Sequence, residues 1–122
     1  MAAAANADPI EFRLKMLTAS TTDDAQFKRA RSIACVKAAA AKFGWIRAPS
    51  PKKRGTGKIL TGRGIAYGYR SQTVVAEIAE VEVNRETGQV YVKRLVCAHD
   101  CGLVINRTGT EWGLSNAASC IR

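Results

Sequence analysis

The stretch that decides the fold runs Thr73-Val74-Val75-Ala76-Glu77-Ile78-Ala79-Glu80-Val81-Glu82-Val83, then Asn84-Arg85-Glu86-Thr87-Gly88, then Gln89-Val90-Tyr91-Val92-Lys93-Arg94-Leu95-Val96-Cys97-Ala98. The latter part of its first segment alternates, with Ala79, Val81 and Val83 against Glu80 and Glu82, which is the period of a strand. The polar pentapeptide ending in Gly88 supplies turn formers, with glycine where a left-handed residue is wanted. The return segment puts Val90 and Val92 on one side and Tyr91 and Lys93 on the other. Leu95 to Ala98 is continuously apolar, so the strand should enter a more buried layer at its far end. The polar residues His99 and Asp100 follow at once, then Cys101 and Gly102. Polar groups at a strand end, just before a glycine turn, are well placed for a site.

Outward from this hairpin, Gly64-Ile65-Ala66-Tyr67-Gly68-Tyr69 reads as a preceding strand, which makes a sheet of about three antiparallel strands. Residues 46–63 form a connection rich in proline, glycine and basic residues. Within it, Gly55-Thr56-Gly57-Lys58 has the look of a phosphate loop but fails the test. No strand precedes it, and Ile59 occupies the place of the hydroxyl residue that would bind magnesium. Further upstream, Asp8-Pro9-Ile10-Glu11 reads as a helix start: an acid to accept the first free amides, proline at the first helical position, and an acid at the positive end of the dipole. Ile10, Leu14 and Leu17 recur at helical spacing, and Thr18 to Thr22 is a polar break. A second helix is expected from Asp23 or Asp24 to Phe43, with Ile33, Val36, Ala40 and Phe43 as its buried face. Gly44 is a natural stop, and Trp45 is expected to fold back on the helix end. The fold class that follows is α+β: two N-terminal helices, then the antiparallel sheet.

The chain has 122 residues, enough for one ordinary domain, and is 47% hydrophobic. Much of that content is alanine and only 7% of residues are aromatic, so the core should be thin. The formal net charge is +9, from 19 Lys+Arg against 10 Asp+Glu. Arg47, Lys52, Lys53, Arg54, Lys58 and Arg63 fall in one segment without an acid. No aromatic residues alternate with them, so base-stacking platforms are missing and nucleic acid is not the expected partner. A small basic module that binds nucleic acid or an acidic protein without catalysis remains the alternative reading.

The four cysteines, Cys35, Cys97, Cys101 and Cys120, form neither a C-x-x-C pair nor a disulfide framework, which fits a reducing, cytoplasmic setting. No apolar run approaches the about 20 residues that span a bilayer. The N-terminal residues lack the charged and apolar regions of a signal peptide. On a strand, Cys97, His99 and Cys101 would share a face, and thiolate with imidazole is good zinc chemistry. Three ligands in a row do not wrap a tetrahedral ion, however, and only the distant Cys35 or Cys120 could complete the set. A Cys/His nucleophilic pair meets a similar objection, because neighbours on one strand rarely reach attack geometry.

Three features in order resemble a known family. They are Asp8-Pro9-Ile10-Glu11-Phe12-Arg13-Leu14-Lys15-Met16-Leu17; Gly62-Arg63-Gly64-Ile65-Ala66; and the segment Ala79 to Val90 running on into His99-Asp100-Cys101-Gly102-Leu103-Val104-Ile105-Asn106. Together they resemble the molybdenum-binding large subunit of the xanthine dehydrogenase/aldehyde oxidase family, in particular the bacterial type that includes isoquinoline 1-oxidoreductase.

The resemblance implies an oxidoreductase that hydroxylates aldehydes or N-heteroaromatic rings with water. It implies a molybdopterin cofactor in the intact subunit, its cytosine dinucleotide form left open, with no tight binding to this piece. The partners it implies are the rest of the molybdenum subunit, an iron–sulfur subunit or domain, and an FAD subunit. It places His99, Asp100, Gly102 and Asn106 near the cofactor and assigns no catalytic residue and no metal ligand here.

The chain departs from the family in ways that suggest a fragment. It starts just ahead of the Asp-Pro helix, and it ends before the glycine-rich segment that carries the catalytic glutamate. The family continues from the asparagine with proline and a Gln-x-Glu-Gly-Gly stretch, whereas Asn106 is followed by Arg107-Thr108-Gly109, and no glutamine occurs after Gln89. Loss of one C would turn AAC-CCG-GAC-GG into AAC-CGG-ACG-G and Asn-Pro-Asp-Gly into Asn-Arg-Thr. The expectation is a partial molybdopterin-binding domain over 1–106 and an atypical, frameshifted tail over 107–122. A sheet cut from a larger domain should also leave the isolated chain poorly soluble or oligomeric.

Overall fold

In the computed structural model the described residues are 1–19, 23, 27–50 and 55–119. They form α1 (Pro9–Ala19), α2 (Arg29–Phe43), β1 (Ile59–Arg70), β2 (Thr73–Asn84), β3 (Val90–Asp100) and α3 (Arg107–Ser119). The sheet is antiparallel in the order β1-β2-β3. The α+β class expected from sequence is observed, with a third helix added.

Local chemistry explains the ends of most elements. Asp8 caps α1, its Oδ1 accepting from the amides of Ile10 at 2.9 Å and Glu11 at 3.1 Å. The helix continues through Thr18, whose hydroxyl donates back to the carbonyls of Leu14 and Lys15 and so does not break it. α2 begins at Arg29, later than expected; Asp23 instead stands off its N-terminus and accepts from the amide and Nε of Arg29. Asp24 lies outside the described residues. Gly44 ends α2 in the left-handed conformation (φ 67°), with the Gly44 and Trp45 amides returning to the carbonyls of Ala41 and Ala40. Trp45 does fold back, its ring 5.9 Å from that of Phe43.

β1 starts at Ile59, five residues ahead of the expected Gly64, because pairing with β2 extends to Ile59↔Asn84. β1 and β2 are joined by Ser71 and Gln72, both at positive φ (46° and 69°), the two-residue turn that suits strand twist. The β2–β3 turn is as expected: Asn84 Oδ1 accepts from the amides of Glu86 and Thr87, the Gly88 amide donates to the Asn84 carbonyl, and Gly88 has φ 72°. Register slips between Glu80 and Val81, leaving Lys93 as a bulge between Val92 and Arg94.

α1 and α2 cover one face of the sheet. Ile10, Leu17, Cys35, Val36, Ala39 and Phe43 pack on Val74, Ala76 and Ile78, the last three at most 1% exposed. The buried face of α2 is therefore centred on Cys35, Val36 and Ala39, while Ile33 and Ala40 flank it half-buried. Cross-strand partners share a face. The opposite face thus carries Leu60, Gly62, Gly64, Ala66 and Gly68 from β1, Val75, Glu77, Ala79, Val81 and Val83 from β2, and Val90, Val92, Leu95, Cys97 and His99 from β3. None of these residues belongs to the core formed by the described residues.

Candidate functional site

The candidate site is the end of β3 and the turn that follows it. β3 becomes half-buried from Leu95 onward, as the apolar run Leu95–Ala98 led one to expect. Asp100, its last residue, receives a two-pronged ion pair from Arg31 on α2: Nε donates to Oδ2 at 2.8 Å and Nη2 to Oδ1 at 2.6 Å. Nη2 also reaches the Asp100 carbonyl at 3.4 Å. Asp100 Oδ1 accepts the Gly102 amide at 3.0 Å as well, which tightens the turn, and Gly102 takes the left-handed conformation (φ 77°). The Arg31 guanidinium, helped by the Gly102 amide, depresses the Asp100 carboxyl to about 2.

Past this clamp the chain opens to solvent. Leu103 is 89% and Ile105 92% exposed. Asn106 caps α3, its Oδ1 accepting the Gly109 amide at 2.8 Å and its carbonyl accepting the Thr110 amide at 3.1 Å. A Cβ on Gly109 would come within 3.1–3.4 Å of the Asn106 side-chain amide, so the two residues are closely fitted.

Of the four residues singled out in the sequence, three thus lie along one connection: Asp100 at its base, Gly102 in its bend and Asn106 at its exit. His99 pairs with Val75 and points to the face opposite α1 and α2, away from Asp100, which pairs with Val74 on the covered side. Arg31 went unnoticed in the sequence because its partner is 69 residues away. The one available signal is its spacing: Arg31, Cys35 and Ala39 form a single helical stripe, and a charge heads an otherwise apolar line.

The competing chemistries do not assemble. Cys97 faces Glu77 on the side opposite α1 and α2; burial, reinforced by that carboxylate, pushes its thiol up to about 11, the reverse of an activated nucleophile. Cys35 comes from the helix side and donates to the Ala98 carbonyl at 3.0 Å. Among the described residues no three His, Cys, Asp or Glu side chains gather as metal ligands, and Cys120 lies outside them. Of the basic segment, Arg47 pairs with Glu11 at 2.7 Å, Lys58 with Glu86 at 3.0 Å, and Arg63 stacks 4.1 Å over Trp45, while Lys52, Lys53 and Arg54 lie outside the described residues. Among the described residues no helix is long and apolar enough to cross a membrane.

A family model described as a molybdopterin cofactor-binding domain matches residues 1–112. The chain is 35% identical over 120 residues to a nicotinate dehydrogenase subunit of Pseudomonas putida, an alignment covering 91% of this chain and 9% of that protein. It is 35% identical to the beta subunit of isoquinoline 1-oxidoreductase of Brevundimonas diminuta, over 81% of this chain and 11% of the relative. It is 34% identical to PaoC, the molybdenum-binding subunit of an aldehyde oxidoreductase of Escherichia coli, over 76% of this chain and 13% of the relative. The chain therefore spans about a tenth of the length of these curated relatives. No solved structure matches it. On the match to nearly its whole length, the chain belongs to the molybdopterin cofactor-binding domain family of molybdenum-binding oxidoreductase subunits.

Proposed function

We propose that the chain is a piece of a molybdenum hydroxylase subunit that contributes one turn, Asp100–Asn106, to the cofactor environment. The observation that carries this reading is the character of that turn: fixed at its base by Arg31 and open at its tip. A pterin is recognised by hydrogen-bonding groups, and the residues here suit that more than direct metal ligation. The turn offers main-chain groups around Gly102 and the side-chain amide of Asn106, and it gathers no ligand set for a metal among the described residues. Asp100 would act through the turn it holds, and His99 from the neighbouring face. When bound, the molybdenum–pterin group supplies oxygen transfer from water and takes up the electrons. The protein's part is to orient that group and to exclude side reactions.

The intact subunit would hydroxylate aldehydes or N-heteroaromatic substrates, in keeping with relatives whose names span nicotinate, isoquinoline and aldehydes. It would carry molybdopterin, with the cytosine dinucleotide form left open, pass electrons through an iron–sulfur subunit or domain to an acceptor such as FAD, and work in the cytoplasm. The isolated chain would not turn over, since it spans only about a tenth of the length of its curated relatives. Residues 1–106 would be the working part and 107–122 a frameshifted tail.

The test is a chimera in which residues 1–106 replace the matching segment of a PaoC-type subunit. Retained molybdenum and oxidation of an aldehyde, nicotinate or isoquinoline are expected. A chimera that folds with its partners but holds no molybdenum would sink the reading. The tail is tested separately on the coding DNA: restoring one base after the Asn106 codon should yield Pro-Asp-Gly and then glutamine- and glycine-rich sequence.

A further inference from the structure

We propose that Arg31 is the positioning residue of the cofactor-side turn, setting the conformation in which Gly102 to Asn106 are presented. This rests on the proposed function for its cofactor part and on geometry for the rest. An ordinary brace between α2 and the sheet is not needed at this point. The packing of Cys35, Val36 and Ala39 against Val74, Ala76 and Ile78 already joins the two layers. Arg31 lies one helical turn beyond that packing and spends its guanidinium on the last residue of β3. The hydrogen bonds run in series from the helix to the bend: Arg31 Nη2 to Asp100 Oδ1 at 2.6 Å, and the Gly102 amide to the same oxygen at 3.0 Å.

One carboxylate oxygen is thus shared between the helix and the glycine bend, so releasing the guanidinium frees the bend itself. The second prong, Nε to Oδ2 at 2.8 Å, fixes the plane of the carboxylate, which a lysine could not do. A Cβ on Gly102 would lie 3.9 Å from Arg31 Nη2, so the guanidinium also flanks the bend directly. The exposed Leu103 and Ile105 that follow have no burial of their own to fix the turn, which leaves the clamp to hold its base while the Asn106 cap holds its exit. The pair is only partly buried, so its contribution to global stability is small while its directional effect on three residues is large.

The test uses the 122-residue chain labelled for NMR, with Arg31→Met, which keeps the apolar stem, and Arg31→Lys, which keeps the charge. Amide exchange is read at Gly102, with Ile78 in the core as control. The expected result is at least tenfold faster exchange at Gly102 in Arg31→Met, an intermediate effect in Arg31→Lys, and less than a twofold change at Ile78. Unchanged Gly102 exchange in both variants overturns the proposal, as does an equal loss of protection at Gly102 and Ile78, which would make Arg31 a general brace. If Arg31→Met does not fold, Arg31→Lys decides by the same ratio.

A second arm titrates 6-hydroxymethylpterin phosphate at millimolar concentration. Shifts confined to Gly102–Asn106 in the parent chain, weakened severalfold in Arg31→Lys, support the cofactor part. No shifts in the parent chain overturn that part, while the exchange ratio still judges the clamp and the molybdenum content of the chimera judges the functional reading. Equal shifts in parent and variant overturn the positioning role alone.

Discussion

The two faces of the sheet are built from the same three strands and have opposite fates. On one, Val74, Ala76 and Ile78 lie under α1 and α2 and are at most 1% exposed. On the other, Val75, Val81 and Val83 are covered only in part, and β1 contributes Gly62, Gly64, Ala66 and Gly68 beside them. A Cβ on Gly64 or Gly68 would meet nothing within 4 Å, neither residue has a positive φ, and a Cβ on Gly62 would make only ordinary contact with Val81. Glycine weakens a strand, so nothing among the described residues accounts for three of them on this face. The lesson is that alternation of apolar residues identifies a strand but not its buried side, since both sides of β2 are apolar for part of their length.

The largest test of this contrast is a pair of truncations. Ile78→Ala should cost about 2–5 kcal/mol, because it opens a cavity under α2. Val81→Ala should cost less than about 1 kcal/mol, because little surrounds it to collapse or leave void. Urea unfolding of the two variants measures both, and equal losses would show that the second face is packed after all.

Next in size is Asp8→Ala, expected at about 1–3 kcal/mol because it removes a cap and leaves donors without an acceptor. Burial works to raise this carboxyl, but the Ala48 amide, the Trp45 indole and the amides of Glu11 and Ile10 outweigh it and lower its pKa. The variant should therefore also red-shift Trp45 fluorescence as that ring loosens from the covered side. An unshifted emission spectrum would show that Trp45 is held by packing alone.

Gly64→Val should act in the opposite direction. Its strand position, free space and ordinary backbone predict a gain of up to about 1 kcal/mol in the isolated chain. A loss of stability would mean that the face opposite α1 and α2 is already occupied, for instance by self-association, and light scattering on the same samples distinguishes the two.

The smallest effect is the acid limb of the Arg31–Asp100 pair. Asp100 has its folded pKa depressed, from the ordinary 3.8 to about 2. Its stabilisation is therefore present above the unfolded value and fades as pH falls from about 4 towards 2. The carboxylate side chain is 38% exposed, so solvent screening keeps the amount small. Asp100→Asn should flatten that part of the pH–stability curve while leaving the neutral region close to the parent. An identical acid limb in the variant would assign it to Asp8 or to another carboxylate.

The parts of the fold legible in the sequence were those decided within a few residues. The cap at Asp8, the stop at Gly44 and the Asn84–Gly88 turn each depend on one side chain or one glycine meeting nearby main chain. The candidate turn was equally visible as a run of polar residues at a strand end, and the resemblance carried by Asp100, Gly102 and Asn106 led to the family that the comparisons show. Less was legible where the outcome depends on a partner. The early start of β1 comes from pairing with the far end of β2, and α2 starts late, at Arg29, after Lys28 in an extended conformation. Helix α3 was not anticipated over a tail read as atypical, though Asn106 opens it with a standard cap.

By itself, the sequence determined that α1, α2 and the three strands exist, where most of them turn, and the family to which the chain belongs, because these follow from short-range periodicity, capping and ordered motifs. Tertiary structure alone decided which face of the sheet lies under the helices and which is left open, because both are apolar and only the packing of α2 chooses between them. It also decided that Asp100 is held by Arg31. An ion pair spanning 69 residues has no local signature, and its two charges meet only once the helix stripe has settled on the sheet.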